Sequence, residues 1–204
     1  MHQRTQRGFT VIEVIIAVTI AGLLLAAALP SAGTWIRNTR IRTAAESISN
    51  GLQQARAEAV RRNQPVGFYL VSDAAGATEL TDTCALSATS SGWVVSPASP
   101  AAKCTTDRDT FIALRPQGDT SAGLSVDAKD SAATAATAVV FNGYGQISNV
   151  SPISCVKVSN PTDAGTRRLN VAIFPGGQVR MCDPGVTDTN DPRYCVTQSG
   201  ITCN

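Results

Sequence analysis

A chain of 204 residues with seventeen basic and fifteen acidic side chains has room for one ordinary domain beside a further segment. It lacks the strong basic excess of a charge-driven nucleic-acid binder. Its single histidine is His2, so the body of the chain lacks the commonest general base and any Ser-His or Cys-His pair.

The first element is Phe9 to Leu29, apolar except at Thr10, Glu13, Thr19 and Gly22. About 20 apolar residues rising ~1.5 Å each span the hydrocarbon core of a bilayer. Ahead of it, Met1 to Gly8 carries His2, Arg4 and Arg7 and no acid. Basic residues on the short side hold that side in the cytoplasm, which sends residues 31–204 outward. A secretory signal peptide has a shorter apolar core followed by small residues at its cleavage site. Ala26-Ala27-Ala28 offers such residues, but the length of the run and Glu13 do not suit one. A carboxylate inside an apolar span is costly and points to function; its plain reading is a side chain snorkelling at the membrane edge.

The stretch Gly8-Phe9-Thr10-Val11-Ile12-Glu13, with the apolar run behind it and Pro30 at its end, resembles the prepilin N-terminus of type IV pilins and type II secretion pseudopilins. The resemblance implies that a prepilin peptidase cuts after Gly8 and methylates Phe9. It also implies a helix bend at Pro30, and pairing of Glu13 with the N-terminal amine of a neighbouring subunit during assembly. Opposite charges attract far more strongly at low dielectric than in water, so such a pair would select register. Residues 1–8 are then a leader peptide and 9–30 a transmembrane and assembly helix. Removing the leader leaves fifteen basic and fifteen acidic side chains.

Residues 31–64 form the next unit. Ile41, Ala45, Ile48, Leu52, Ala55 and Ala59 recur at spacings of four and three, the mark of one face of an amphipathic helix. Arg37, Arg40, Arg42, Glu46, Arg56, Glu58, Arg61 and Arg62 largely fill the other positions, and Asn63-Gln64-Pro65 supplies a stop. The stripe reads as an ordinary core face. The arginines read as a solvated face, with some pairing across subunits as the alternative.

Residues 65–204 change to strand and turn signals and form a β-rich head. Val66 to Val71, Trp93 to Val95, Phe111 to Leu114, Ala138 to Phe141 and Leu169 to Phe174 are short apolar runs bordered by turn residues. Gly176-Gly177 predicts a tight hairpin into Gln178 to Met181. Strands and helices do not alternate, so a parallel α/β sheet is not expected. The fold class is α+β: a long N-terminal helix, half transmembrane and half amphipathic, packed on an antiparallel β-sheet head of pilin type. Segments 72–91, 96–109 and 117–137 are rich in small and polar residues and read as surface loops. Residues 63–204 hold nine basic and twelve acidic side chains, which makes the head mildly acidic.

Three further stretches resemble the GspH/FimT group of minor pilins and pseudopilins. They are Ala59-Val60-Arg61-Arg62-Asn63 at the helix end, Phe141-Asn142-Gly143-Tyr144-Gly145, and Phe174 to Cys182. The resemblance favours a minor subunit over a major one, and a FimU-like place in a pilus over a secretion role.

All six cysteines lie beyond the membrane segment, which fits disulfides made in an oxidising periplasm. Six cysteines allow fifteen pairings. Loop economy selects Cys84–Cys104 and Cys182–Cys195 and leaves Cys155–Cys203. No C-x-x-C pair exists, so no metal site is expected. Ser154 and Lys157 match the opening of a β-lactamase motif by spacing alone, without its companion motifs, and the chain reads as a non-enzyme. Asp183, Asp188, Asn190 and Asp191 offer oxygen donors for calcium, yet lack EF-hand spacing and read as solvated loop acids; no cofactor is expected.

Some FimT-like proteins bind DNA through a Gly-Arg-x-Arg motif. Gly177-Gln178-Val179-Arg180 lacks its first arginine. Arg167, Arg168 and Arg180 could form a small patch, but DNA is not the favoured partner. The reading taken forward is a minor pilin that helps start or cap a type IV pilus, in the inner membrane before assembly and outside the cell after it. Its expected partners are the major pilin, other minor pilins, the prepilin peptidase, membrane lipid and the inner-membrane assembly platform. The alternatives are a DNA-binding minor pilin for transformation and a GspH-like pseudopilin of type II secretion.

Overall fold

The computed structural model describes residues 8–73, 78–119, 123–162 and 165–195, and the backbone but not the side chains of 26–32. The chain falls into two units, Met1–Ile36 and Arg37–Asn204, and helix α1, Val11–Arg62, has residues in both.

Thr10 sets the start of α1. Its hydroxyl oxygen accepts the N–H of Glu13 at 3.3 Å and its carbonyl accepts that of Val14 at 3.3 Å. Threonine followed three residues later by glutamate has the spacing of a capping box. At the other end, Asn63 adopts the left-handed conformation at φ 50°. The Asn63 N–H donates to the Val60 carbonyl and that of Gln64 to Ala59. This double closure is a Schellman motif, and Pro65 follows where the helix cannot continue.

In the first unit the large apolar side chains from Phe9 to Leu25 are exposed on every side of the helix. In the second unit, α1 turns Ile41, Ala45, Ile48, Leu52, Ala55 and Ala59 into the core. Strand β1 (Val66–Ser72) pairs antiparallel with β3 (Trp93–Ser96) on one edge. Its other edge takes β6 (Ala138–Phe141) and the short β2 (Ala85–Leu86). β4 (Ala113–Arg115) extends this first sheet beyond β3. A second antiparallel sheet runs in the order β5 (Ser125–Lys129), β7 (Cys155–Ser159), β8 (Leu169–Ile173), β9 (Val179–Cys182).

Strand alternation then sorts the side chains. Phe68, Leu70, Trp93 and Val95 of the first sheet, and Val156, Val158, Val171 and Ile173 of the second, join the helix face in one core. Tyr69, Val71 and Val94 face the other way, into a smaller cluster with Leu80, Cys84 and Cys104. Burial on both faces explains why β1 is an unbroken apolar run. Gly51 admits the aromatic pair: a Cβ there would stand 2.8 Å from Phe68 and 3.1 Å from Trp93. The Trp93 indole N–H donates to the Ser47 hydroxyl at 2.9 Å, satisfying a polar group that the core would otherwise strand.

Three segments read as loops from composition hold more structure than that. β5 lies within 117–137 and β2 within 72–91. Leu80, Cys84 and Cys104 are buried where they pack with Tyr69, Val71 and Val94 on the other face of the first sheet. β7 joins β5 to β8 and makes the second sheet. The head therefore has two sheet layers against the helix, not one.

Candidate functional site

At the N-terminus, Gly8, Phe9 and Thr10 precede the first helical residue, and Glu13 lies in the first turn of α1 with its side chain exposed. The helix backbone continues through position 30. Among the described residues no helix is long and apolar enough to cross a membrane. The apolar run read from Phe9 to Leu29 passes into positions 26–32, whose side chains are not described.

In the head, the three sequence stretches that resemble the GspH/FimT group meet at one corner. Asn142 to Gln146 and Phe174 to Gln178 form turns with the same bonding. The N–H of Asn142 donates to the Gln146 carbonyl at 2.9 Å and that of Gly145 to the Asn142 carbonyl at 2.8 Å. The second turn repeats this, from Phe174 to Gln178 at 2.9 Å and from Gly177 to Phe174 at 2.7 Å. Gly145 and Gly177 occupy matching left-handed positions, at φ 75° and 79°, where a side chain is strained. A Cβ on Gly177 would run into the Gly145 carbonyl oxygen, and one on Gly143 into Asn63.

Arg56 of α1 closes the corner. Its Nε donates to the Gly145 carbonyl at 3.0 Å and an Nη to that of Gly176 at 3.5 Å. Sequence reasoning placed Arg56 on a solvated face. Its backbone partners lie 89 and 120 residues away, beyond any local signal. The other arginines near the helix end pair within α1. Arg61 and Arg62 both bond Glu58 and hold its carboxyl down at about 2. Arg42 bonds Glu46 at 2.7 Å.

Arg167 and Arg168 are exposed just ahead of β8, while Arg180 sits in β9 opposite Ala172. Four residues of strand at ~3.3 Å each separate position 172 from position 168, so the register sets Arg180 apart from the other two. Its guanidinium donates to the Pro192 carbonyl at 2.7 Å.

Of the acids considered for calcium, Asp183 and Asp188 accept backbone N–H bonds from Gly185 and Asn190. Asp191 accepts from Arg193, which holds its carboxyl down at about 2. No group of three or more His, Cys, Asp or Glu able to hold a metal occurs among the described residues.

Cys84 is joined to Cys104 and Cys182 to Cys195. Cys155 is also disulfide-bonded; Cys203, expected as its partner, lies outside the described residues.

An apolar N-terminal helix segment ahead of an α+β head, in which the helix packs on antiparallel sheets, is the plan of a pilin-class subunit. The family described as type II transport protein GspH matches residues 44–200, and the prokaryotic N-terminal methylation motif matches residues 3–29. The chain belongs to the GspH family of minor pilins and pseudopilins, whose members are structural subunits.

It is 36% identical over 72 residues to the pilin-like protein PilA1 of Thermus thermophilus, covering 35% of this chain and 45% of that one. The chain thus spans about half the length of the curated relative it matches. Two crystal structures of the Pseudomonas aeruginosa type IV minor pilin FimU are similar at 15% and 16% identity, with TM-scores of 0.42 and 0.44. They cover 69% and 70% of this chain and 90% and 88% of theirs.

Proposed function

We propose that the chain is a minor pilin that helps start or cap a type IV pilus and links other minor pilins to the major pilin shaft. The observation that carries this is the set of exposed apolar side chains from Phe9 to Leu25 around one carboxylate, Glu13. Each Å² of apolar surface left in water forgoes roughly 25 cal/mol, so this surface calls for cover on all sides. Inner-membrane lipid supplies it before assembly, and the helices of neighbouring subunits supply it in the filament.

In this reading the prepilin peptidase cuts the Gly8–Phe9 bond and methylates the new amine of Phe9. The Glu13 carboxylate pairs with the amine of the adjacent subunit as the assembly platform adds the chain. Pro30 supplies a bend, and Cys155–Cys203 completes the disulfides of a periplasmic head that ends outside the cell.

A second reading, a pseudopilin of type II secretion, draws on the family's own description as a type II transport protein. The first two readings share every step up to the choice of machine. A DNA-uptake role has less support, since the strand register separates Arg180 from Arg167 and Arg168.

The test is the identity and mass of the N-terminal residue, on protein from its native host with and without prepilin peptidase. Methylated Phe9, found only with the peptidase, is the expected result. An intact Met1, or a cut near Ala28, would remove the assembly mechanism.

A further inference from the structure

Asparagine followed by glycine occurs at Asn50-Gly51 and again at Asn142-Gly143. Such a pair is chemically labile, because glycine has no side chain to shield its backbone nitrogen. That nitrogen can attack the amide carbon of the asparagine side chain, and asparagine is among the residues that proteins adapted to heat use less. The fold treats the two pairs differently.

Asn50 is exposed, but Gly51 lies inside α1, where its N–H belongs to the helix ladder. Gly51 is also packed against Phe68 and Trp93. Its nitrogen can react only when the helix opens, and packed helix interiors open rarely.

Asn142 and Gly143 are half-buried in the turn after β6. The Gly143 N–H makes no hydrogen bond among the described residues, so none has to break before its nitrogen reacts. The Asn142 side chain is held by its oxygen: Oδ1 accepts the N–H of Tyr144 at 3.0 Å and that of Gln146 at 3.1 Å. Both partners are donors, which assigns the oxygen to that side and leaves the amide nitrogen on the other. Two N–H groups on a carbonyl oxygen polarise its carbon, and they stabilise the negative charge that gathers on the oxygen as a nucleophile adds.

We propose that Asn142 is a self-modification site, converted to aspartate through attack by the Gly143 nitrogen. That nitrogen gives up its proton and bonds to Cγ; the Cγ–Nδ2 bond breaks, and ammonia leaves with the proton. Water then adds at Cγ, the bond from Cγ to the Gly143 nitrogen breaks, the nitrogen regains a proton, and a carboxylate remains. The turn suits this product. A carboxylate at 142 accepts the same two N–H bonds, and more strongly than an amide. Opening at the main-chain carbonyl would instead lengthen the backbone inside a turn whose Asn142 carbonyl and N–H bond Gly145 and Gln146.

The experiment incubates the folded full chain in detergent at mildly alkaline pH and weighs, over time, the peptides that hold positions 50 and 142. Asn142 is expected to gain the mass difference between amide and acid at least about tenfold faster than Asn50, because only the helix pair has to open first. No conversion of Asn142, or equal rates at the two sites, overturns the proposal. In urea the difference is expected to vanish; a difference that persists there belongs to local sequence and overturns selection by the fold. Asn142→Asp is expected to keep the parent's melting midpoint or exceed it, whereas Asn142→Ala, which strips both N–H groups of their acceptor, lowers it. A midpoint for Asn142→Asp below the parent's overturns the claim that the turn suits the product.

Discussion

Ile12 and Ile48 lie on the same helix and end differently: the first is 67% exposed and the second is wholly buried. The two stretches differ in pattern before they differ in burial. From Val11 to Leu25 apolar residues occupy every side of α1, whereas from Ile41 to Ala59 they keep to one face. A one-faced stripe is satisfied when sheets pack against it; an all-round one needs surroundings on every side. The arrangement of apolar residues, more than their number, decides whether the chain's own fold covers them.

The contrast is tested hardest at Glu13. Glu13→Ala is expected to leave cleavage after Gly8 intact and to abolish incorporation, scored by N-terminal mass and by recovery in sheared filaments. Normal recovery would end the pairing role. Leu52→Ala, in the one-faced stretch, is expected to cost the head about 2–5 kcal/mol through loss of a buried side chain and the cavity left behind. Leu23→Ala, in the all-round stretch, is expected to change the same melting transition by less than ~0.5 kcal/mol. Equal losses from the two would break the contrast.

Arg56→Ala sharpens it further, since Arg56 is a polar residue of the packed stretch with a structural task. Losing its charged bond to the Gly145 carbonyl is expected to cost about 1.5–3 kcal/mol. Lysine should restore only part of this, because a single ammonium does not reproduce the planar fork. An unchanged midpoint for Arg56→Ala would show that the twin turns hold without it.

Acid is expected to have the smallest effect. Hydrogen bonds from Arg61 and then Arg62 lower the Glu58 carboxyl from 4.5 to about 2 in the folded head. A lowered folded value means that the stabilisation is present above 4.5 and lost as the pH falls toward 2. The pair is open to solvent and weakened by salt, so Glu58→Gln should flatten only a shallow slope in a pH series of melting midpoints.

The helix was the most legible part of the fold. Ile41, Ala45, Ile48, Leu52, Ala55 and Ala59 were all expected in the core and are all fully buried, because a helical stripe repeats over enough turns to stand out. Among the strands, β1, β3, β6 and β8 carry dense apolar runs and could be read within a residue or two of their ends. β5 could not be read: Ser125-Val126-Asp127-Ala128-Lys129 offers one large apolar side chain, and its neighbours have loop composition. β7 has a clean period of two, Cys155-Val156-Lys157-Val158-Ser159, which five residues state too briefly to count for much. The corner was half legible. Its glycine-rich turns resembled the family, but their meeting on Arg56 depends on contacts between distant parts of the chain.

The absence of a side chain at Gly177 also bears on how the head comes apart. The turn after β6 belongs to the first sheet, and the turn between β8 and β9 to the second. Their backbones approach so closely that a Cβ on Gly177 would collide with Gly145, and Arg56 bonds a carbonyl in each. Neither turn keeps its partners if the other opens. The two sheets are thereby coupled, and a calorimetric scan of the head is expected to show one transition, not one for each sheet.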